Sequence, residues 1–159
     1  MIPRETMKLK REGAFLIARI YQISGRIFAR KLKEYSLDYI TPAQGRILFA
    51  LWREDDISIF ELAERTSLSK STLTSMLDKL EDSGHIIRVP SGEDRRMIMI
   101  RLTEKDRKLR QAYVRISNEM AALAYGGLSE EEIDAFEKTL GRIFENLRAD
   151  EKKSRGDRS

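Results

Sequence analysis

Hydrophobic residues recur at three-and-four spacing along most of the chain, and the period turns to alternation in one stretch. Over residues 13–35, Ile17, Tyr21, Ser24, Phe28, Leu32 and Tyr35 form one stripe and Leu16, Ile20, Ile23 and Ile27 an adjoining one. That predicts a long helix whose apolar face is wider than one neighbour covers, so a second chain is expected to bury the rest. Thr41-Pro42-Ala43-Gln44 supplies a cap, a proline at the first helical position and a capping glutamine for a helix through Ile47, Leu48 and Leu51. Ser58 and Glu61 make a second capping box, with Ile57 and Leu62 as its hydrophobic staple, opening a short helix to about Arg65. Ser69 caps a further helix with Leu73, Met76, Leu77 and Leu80 turned inward, and Gly84 stands where a left-handed C-terminal cap is needed.

Beyond Gly84, Ile87 and Val89 alternate with Ile86 and Arg88, and then Ile98, Ile100 and Leu102 with Met97, Met99 and Arg101, which predicts a hairpin. Its loop, Pro90 to Arg96, is short and ends in two arginines. Thr103 is placed to cap a helix carrying Leu109, Tyr113, Ile116, Met120 and Leu123 in a seam too short for a free coiled coil. Gly126-Gly127 stops it, and a staple and capping box at Leu128 to Ile133 open a last helix through Phe136, Leu140, Ile143, Phe144 and Leu147. The expected fold class is mainly α with a small β-hairpin wing: a winged helix-turn-helix plus a helical dimerisation region. Residues 1–40 and 103–150 are read as dimerisation helices, 41–102 as the winged domain and 151–159 as a frayed, disordered tail.

Composition narrows the function. The chain has 159 residues, 41% of them hydrophobic, and no cysteine, so thiol catalysis, disulfides and Cys-rich zinc sites are excluded. No apolar run approaches the roughly 20 residues that cross a bilayer, which leads to the expectation of a soluble cytoplasmic protein with no membrane partner. The net charge of +4 is blocked along the chain. Residues 1–53 carry 11 basic against 4 acidic side chains and residues 84–115 carry 9 against 4, whereas 54–83 and 116–150 each carry 3 against 8. Positive segments of this kind suit a polyanion, although a solvated basic face has the same composition.

The helix after Ser69 presents Lys70, Ser71, Thr72, Thr74, Ser75, Asp78 and Lys79 away from its apolar stripe. Short hydroxyl side chains let a helix approach base edges in a major groove, while lysines and free helix-terminal amides take phosphates. One such helix alone would be read as an ordinary solvated face. A preceding helix, a tight turn and a basic hairpin beside it change that reading to a helix-turn-helix with a wing. In the wing loop Asp94 is spaced to orient Arg96 toward a narrow minor groove, the plain alternative being a surface ion pair, and Arg95 is read as a phosphate contact. Arg88 is either a phosphate ligand or a strand-exposed charge.

The run ELAERTSLSKSTLTSMLDKLEDSGHIIR, the wing DRR and LTEKDRKL, with TPAQGRILFAL upstream, resemble the MarR family of bacterial and archaeal regulators over nearly the whole chain. Asp106 departs from the pattern, which usually has glycine there; the departure is expected to alter only the start of a helix. The resemblance implies a homodimer built from the first and last helices, a pseudo-palindromic double-stranded operator, and repression released by a small ligand. It suggests an aromatic or anionic effector near Tyr21, Tyr39 and Trp52, residues that equally serve as packing. The lack of cysteine argues against peroxide sensing through a thiol.

Catalysis has no support: there is no phosphate-cradling glycine loop and no motif-anchored nucleophile, so no enzyme, cofactor or metal is expected. His85 with Glu81 is too few ligands for a metal, and His85 is read as a capping or surface residue. Glu54-Asp55-Asp56 is read as a solvated loop. The main alternative is a winged helix serving as a protein-interaction module, disfavoured because the exposed helix face is polar.

Overall fold

The computed structural model describes residues 11–37 and 39–156, without the side chains of residues 107 and 108. The polar stretch 1–10 and the last three tail residues, 157–159, lie outside it. Among the described residues there are six helices: α1 (Gly13–Glu34), α2 (Pro42–Arg53), α3 (Ile59–Thr66), α4 (Lys70–Asp82), α5 (Arg107–Tyr125) and α6 (Glu130–Gly156). Three strands accompany them: β1 (Ile57–Ser58), β2 (Ile86–Pro90) and β3 (Ile98–Leu102). The chain divides into two compact units between Met120 and Ala121, within α5.

In the first unit the core is built where helical stripes meet. Ile47, Leu48 and Leu51 of α2, Leu62 of α3 and Leu73, Leu77 and Leu80 of α4 are wholly buried, with Leu32 of α1 and Leu109, Tyr113 and Ile116 of α5. Such burial contributes about 1.5–3 kcal/mol per large aliphatic side chain. The first cap behaves as the sequence predicts: Thr41 Oγ1 accepts the Gln44 N–H at 3.1 Å and Gln44 Oε1 the Thr41 N–H at 3.0 Å. At Ser58 only half of the expected box forms. Its Oγ accepts the Glu61 N–H, but the Glu61 carboxylate turns to Arg65 and Ser58 lies in a strand opposite Met99.

The expected hairpin forms from β2 and β3, and β1 extends it to a three-stranded antiparallel sheet in the order β1-β3-β2. Ile57 faces Ile100 on one side of β3 and Arg88 faces it on the other, so the wing is joined to the start of α3. Two residues are too short for a periodic signal, and β1 was therefore not legible. The expected Thr103 cap also fails. Its hydroxyl donates to the Gly84 carbonyl at 2.5 Å, and a 3-10 turn, Glu104–Asp106, precedes α5.

Toward its amino end α1 exposes Phe15, Leu16, Ile17, Ile20, Tyr21 and Ile23, and only its last turns enter the core. There Glu119 of α5 accepts from Lys31 Nζ at 2.5 Å and from Tyr35 Oη at 2.6 Å. These two bonds hold the Glu119 carboxyl below its usual pKa.

In the second unit Ser129 and Glu132 form a reciprocal capping box, and Tyr125 packs edge-on against Phe136. α6 buries no residue and exposes Phe136, Ile143, Phe144 and Leu147. It continues past Asp150 to Gly156, which overturns the expected disorder from residue 151. Arg155 bonded to Glu151 one turn earlier supports the extension.

Candidate nucleic-acid interface

Helix α4 is fixed at both ends by its own sequence. Ser67 takes a left-handed conformation, φ 56°, to turn the chain after α3. Ser69 Oγ then accepts the Thr72 N–H at 3.3 Å and lies 2.8 Å from Thr72 Oγ1 and 3.4 Å from Ser71 Oγ. The hydroxyls of Ser69 and Thr72 are thus engaged in the cap. At the far end the Gly84 N–H bonds the Glu81 carbonyl and the His85 N–H the Leu80 carbonyl, both at 2.9 Å. Gly84 stands at φ +81°, where a Cβ would be strained, which satisfies the glycine expectation.

With Leu73, Leu77 and Leu80 buried, Lys70, Ser71, Thr72, Thr74, Ser75, Asp78 and Lys79 are exposed together, as the periodicity requires. Thr74 Oγ1 donates to the Lys70 carbonyl at 2.8 Å, which orients its hydroxyl oxygen and methyl group. Ser71, Thr74 and Ser75 form a short row of small side chains with a lysine near each end.

The wing loop is closed by the Ser91 N–H bonding the Met97 carbonyl at 2.9 Å and the Met97 N–H bonding the Asp94 carbonyl at 3.0 Å. Asp94 Oδ1 accepts the backbone N–H of Arg96 at 3.0 Å and its Nε at 3.4 Å. One carboxylate oxygen therefore sets both the loop and the arginine side chain, which is itself 93% exposed. Arg95 is exposed beside it.

Arg88 is not the strand-exposed charge that one of its two readings expects. Its guanidinium bonds Asp78 Oδ1 at 2.7 Å, Glu81 Oε1 at 3.1 Å and the Thr74 carbonyl at 3.3 Å, and its backbone N–H bonds Glu81 Oε2 at 3.2 Å. It is a cross-brace from β2 to α4.

The MarR family model matches residues 40–98, the span that holds this interface. The HTH-type transcriptional regulator SarZ of Staphylococcus aureus is 30% identical over 99 residues, covering 62% of this chain and 67% of that protein. The chain belongs to the MarR family. It is accordingly a DNA-binding transcription regulator and not an enzyme. TtmR of Methylorubrum extorquens is 37% identical over 86 residues, 54% of this chain and 43% of that protein's length. The crystal structure of a MarR transcriptional regulator from Methanosarcina mazei matches with a TM-score of 0.74 at 26% identity, over 86% of this chain and 96% of that one.

Within this MarR-family fold the acidic loop is not merely solvated. Asp55 Oδ1 accepts the Leu102 N–H at 2.9 Å, Asp56 pairs with Arg101 at 3.1 Å and Glu54 with Arg65. The loop holds the carboxyl end of β3 and the end of α3.

His85 is buried at 2% exposure, which overturns its reading as a surface residue, while its backbone N–H does serve in the cap of α4. Its ring stacks on exposed Tyr39 at 6.1 Å between centroids, and its Nδ1 is 3.7 Å from Asp106 Oδ1. Asp106 is also buried and accepts a hydrogen bond from Trp52 Nε1. Burial lowers the His85 pKa and raises that of Asp106, the Trp52 bond opposing the latter. The departure at Asp106 does more than shift a helix start, and a lone aspartate 21 residues further along the chain carries no sign of the histidine it meets.

Of the aromatics near the suggested effector region, Trp52 packs edge-on against Tyr113 at 5.1 Å, and Tyr21 accepts from Arg46 at 3.0 Å. Among the described residues no cluster of His, Asp or Glu suits a metal, and no helix is long and apolar enough to cross a membrane.

Proposed function

We propose that this chain is a sequence-specific homodimeric repressor, acting in the cytoplasm on a pseudo-palindromic operator and released by a small aromatic or anionic ligand. Two copies of α4 enter successive major grooves with half-sites about 10 base pairs apart, and each Arg96 reaches a flanking minor groove. Ser71, Thr74 and Ser75 read base edges; Lys70, Lys79, Arg95 and the helix amino terminus hold phosphates. The winged domain, 41–102, reads DNA and the helices of 1–40 and 103–150 pair the chains.

The observation that carries this reading is the joint exposure of the hydroxyl row on α4 and of Arg96, each held by its own local bonds. The exposed apolar residues of α1 and of α6 support pairing, because a contiguous apolar stripe of that size on a helix is normally covered. A polarisation titration of mixed-sequence duplex at several salt concentrations tests the DNA claim. Binding that weakens steeply with salt is expected; no binding at low salt would refute it. Light scattering should give about twice 18.5 kDa at micromolar protein, and a monomer would remove the two-half-site arrangement.

A further inference from the structure

We infer that Arg88 is a positioning residue for DNA binding that acts by neutralising and holding back Asp78 and Glu81, the two carboxylates of α4, the reading helix, that it reaches from β2. This rests on the DNA-binding reading above.

The reading helix has an electrostatic problem that its sequence does not resolve. Asp78 lies one turn beyond Thr74 on the exposed face, and Glu81 follows three residues later, where phosphates must approach Lys79. Their side chains are 60% and 41% exposed. Unpaired, each would repel the phosphate backbone across a short gap, and like charges brought together at an interface are costly.

Arg88 meets both at once. It sits on the central part of β2, opposite Ile100 of β3, so its Cα is fixed by the sheet rather than by the helix it serves. Its side chain is only 21% exposed, and separate nitrogens reach Asp78 at 2.7 Å and Glu81 at 3.1 Å. The bond from Nη2 to the Thr74 carbonyl at 3.3 Å adds a contact to the helix backbone beside the base-reading row. A planar guanidinium with donors in a fixed fork suits three acceptors on successive turns; an ammonium does not. A guanidinium so engaged is poorly placed to serve as a phosphate ligand itself. The brace also links β2 of the wing to the helix.

The test compares four forms of the full chain by polarisation with mixed-sequence duplex at low salt, with circular dichroism and thermal melting alongside: unaltered, Arg88→Gln, Asp78→Asn with Glu81→Gln, and all three changes together. Arg88→Gln should weaken binding about tenfold or more. The triple variant should bind about as well as the Asp78→Asn, Glu81→Gln variant, since without the repelling charges Arg88 has nothing to neutralise. If Arg88 were a direct phosphate ligand, the triple variant would stay about tenfold weaker than that double variant; if it were only a structural brace, the triple variant would bind no better than Arg88→Gln and melt lower. Either result overturns the inference. Should Arg88→Gln not fold, Arg88→Lys carries the test: it keeps the charge but loses the fork, so partial weakening relieved by Asp78→Asn is expected, and weakening without relief contradicts the inference. Absence of binding by the unaltered chain would instead overturn the DNA reading itself.

Discussion

His85 Nδ1 faces Asp106 Oδ1 at 3.7 Å beneath the surface, and neither atom has a hydrogen-bond partner among the described residues. The histidine follows the glycine that ends α4, and the aspartate closes the 3-10 turn that leads into α5. Trp52 reaches the same aspartate from α2, Tyr39 covers the ring, and Lys105, Arg110 and Asp55 contribute charge around them. Three elements of the first unit thus meet at one buried polar cluster.

Acid should cost this protein stability through His85. Burial depresses its folded pKa below 6.5, so the unfolded chain takes up the proton first and stability falls as pH drops through that value. Asp106, raised from 3.8, acts in the opposite direction, because the folded chain takes up its proton at a higher pH than the unfolded one. Between about pH 7.5 and 5.5 the melting temperature should fall more for the wild type than for His85→Leu. Parallel curves for the two would show that His85 does not titrate as its burial requires.

Gly45 is set by a close approach. A Cβ there would overlap the Tyr113 hydroxyl and ring, which are wedged between Phe28 and Trp52 at centroid distances of 5.2 and 5.1 Å. Burial also raises the Tyr113 pKa, so the phenol stays neutral. Gly45→Ala should destabilise by about 1–3 kcal/mol in urea unfolding despite its better helix propensity, with part of the loss recovered by adding Tyr113→Leu. A stabilised Gly45→Ala would mean that Tyr113 moves freely.

Much of this architecture was legible because local rules and burial agreed. The capping box at Thr41, the glycine cap at Gly84 and the leucines of α4 each mark their positions without reference to distant residues. What escaped depends on partners in other elements. Ser58 becomes a strand residue because Met99 lies opposite, Arg88 a brace because Asp78 and Glu81 come within reach, and His85 a buried residue because Asp106 and Tyr39 close over it. Each pairing joins two elements, and even the seven residues from Glu81 to Arg88 pass from a helix into a strand, so no single period contains it.

Arg96 and Asp94 should separate binding from folding. Arg96 is almost fully exposed, so Arg96→Ala should weaken operator binding by about 1–3 kcal/mol and leave thermal melting unchanged. Asp94→Ala removes the acceptor that holds both the Arg96 N–H and its side chain, and a smaller loss in the same direction is expected. Unaltered affinity in both variants would take the wing loop out of the interface.

Lys79 should reveal itself through salt. If it holds a phosphate, Lys79→Ala lowers affinity to a similar degree on every duplex and reduces the slope of log affinity against log salt by about 1. A change of sequence preference with the slope intact would place it among the base readers.

The account stands most directly on what the protein selects from a pool of random duplexes. Two copies of α4 predict enrichment of an inverted repeat with half-sites about 10 base pairs apart, flanked by A·T-rich steps where Arg96 enters the minor groove. Enrichment of a single unrepeated half-site, or none at all, would contradict it.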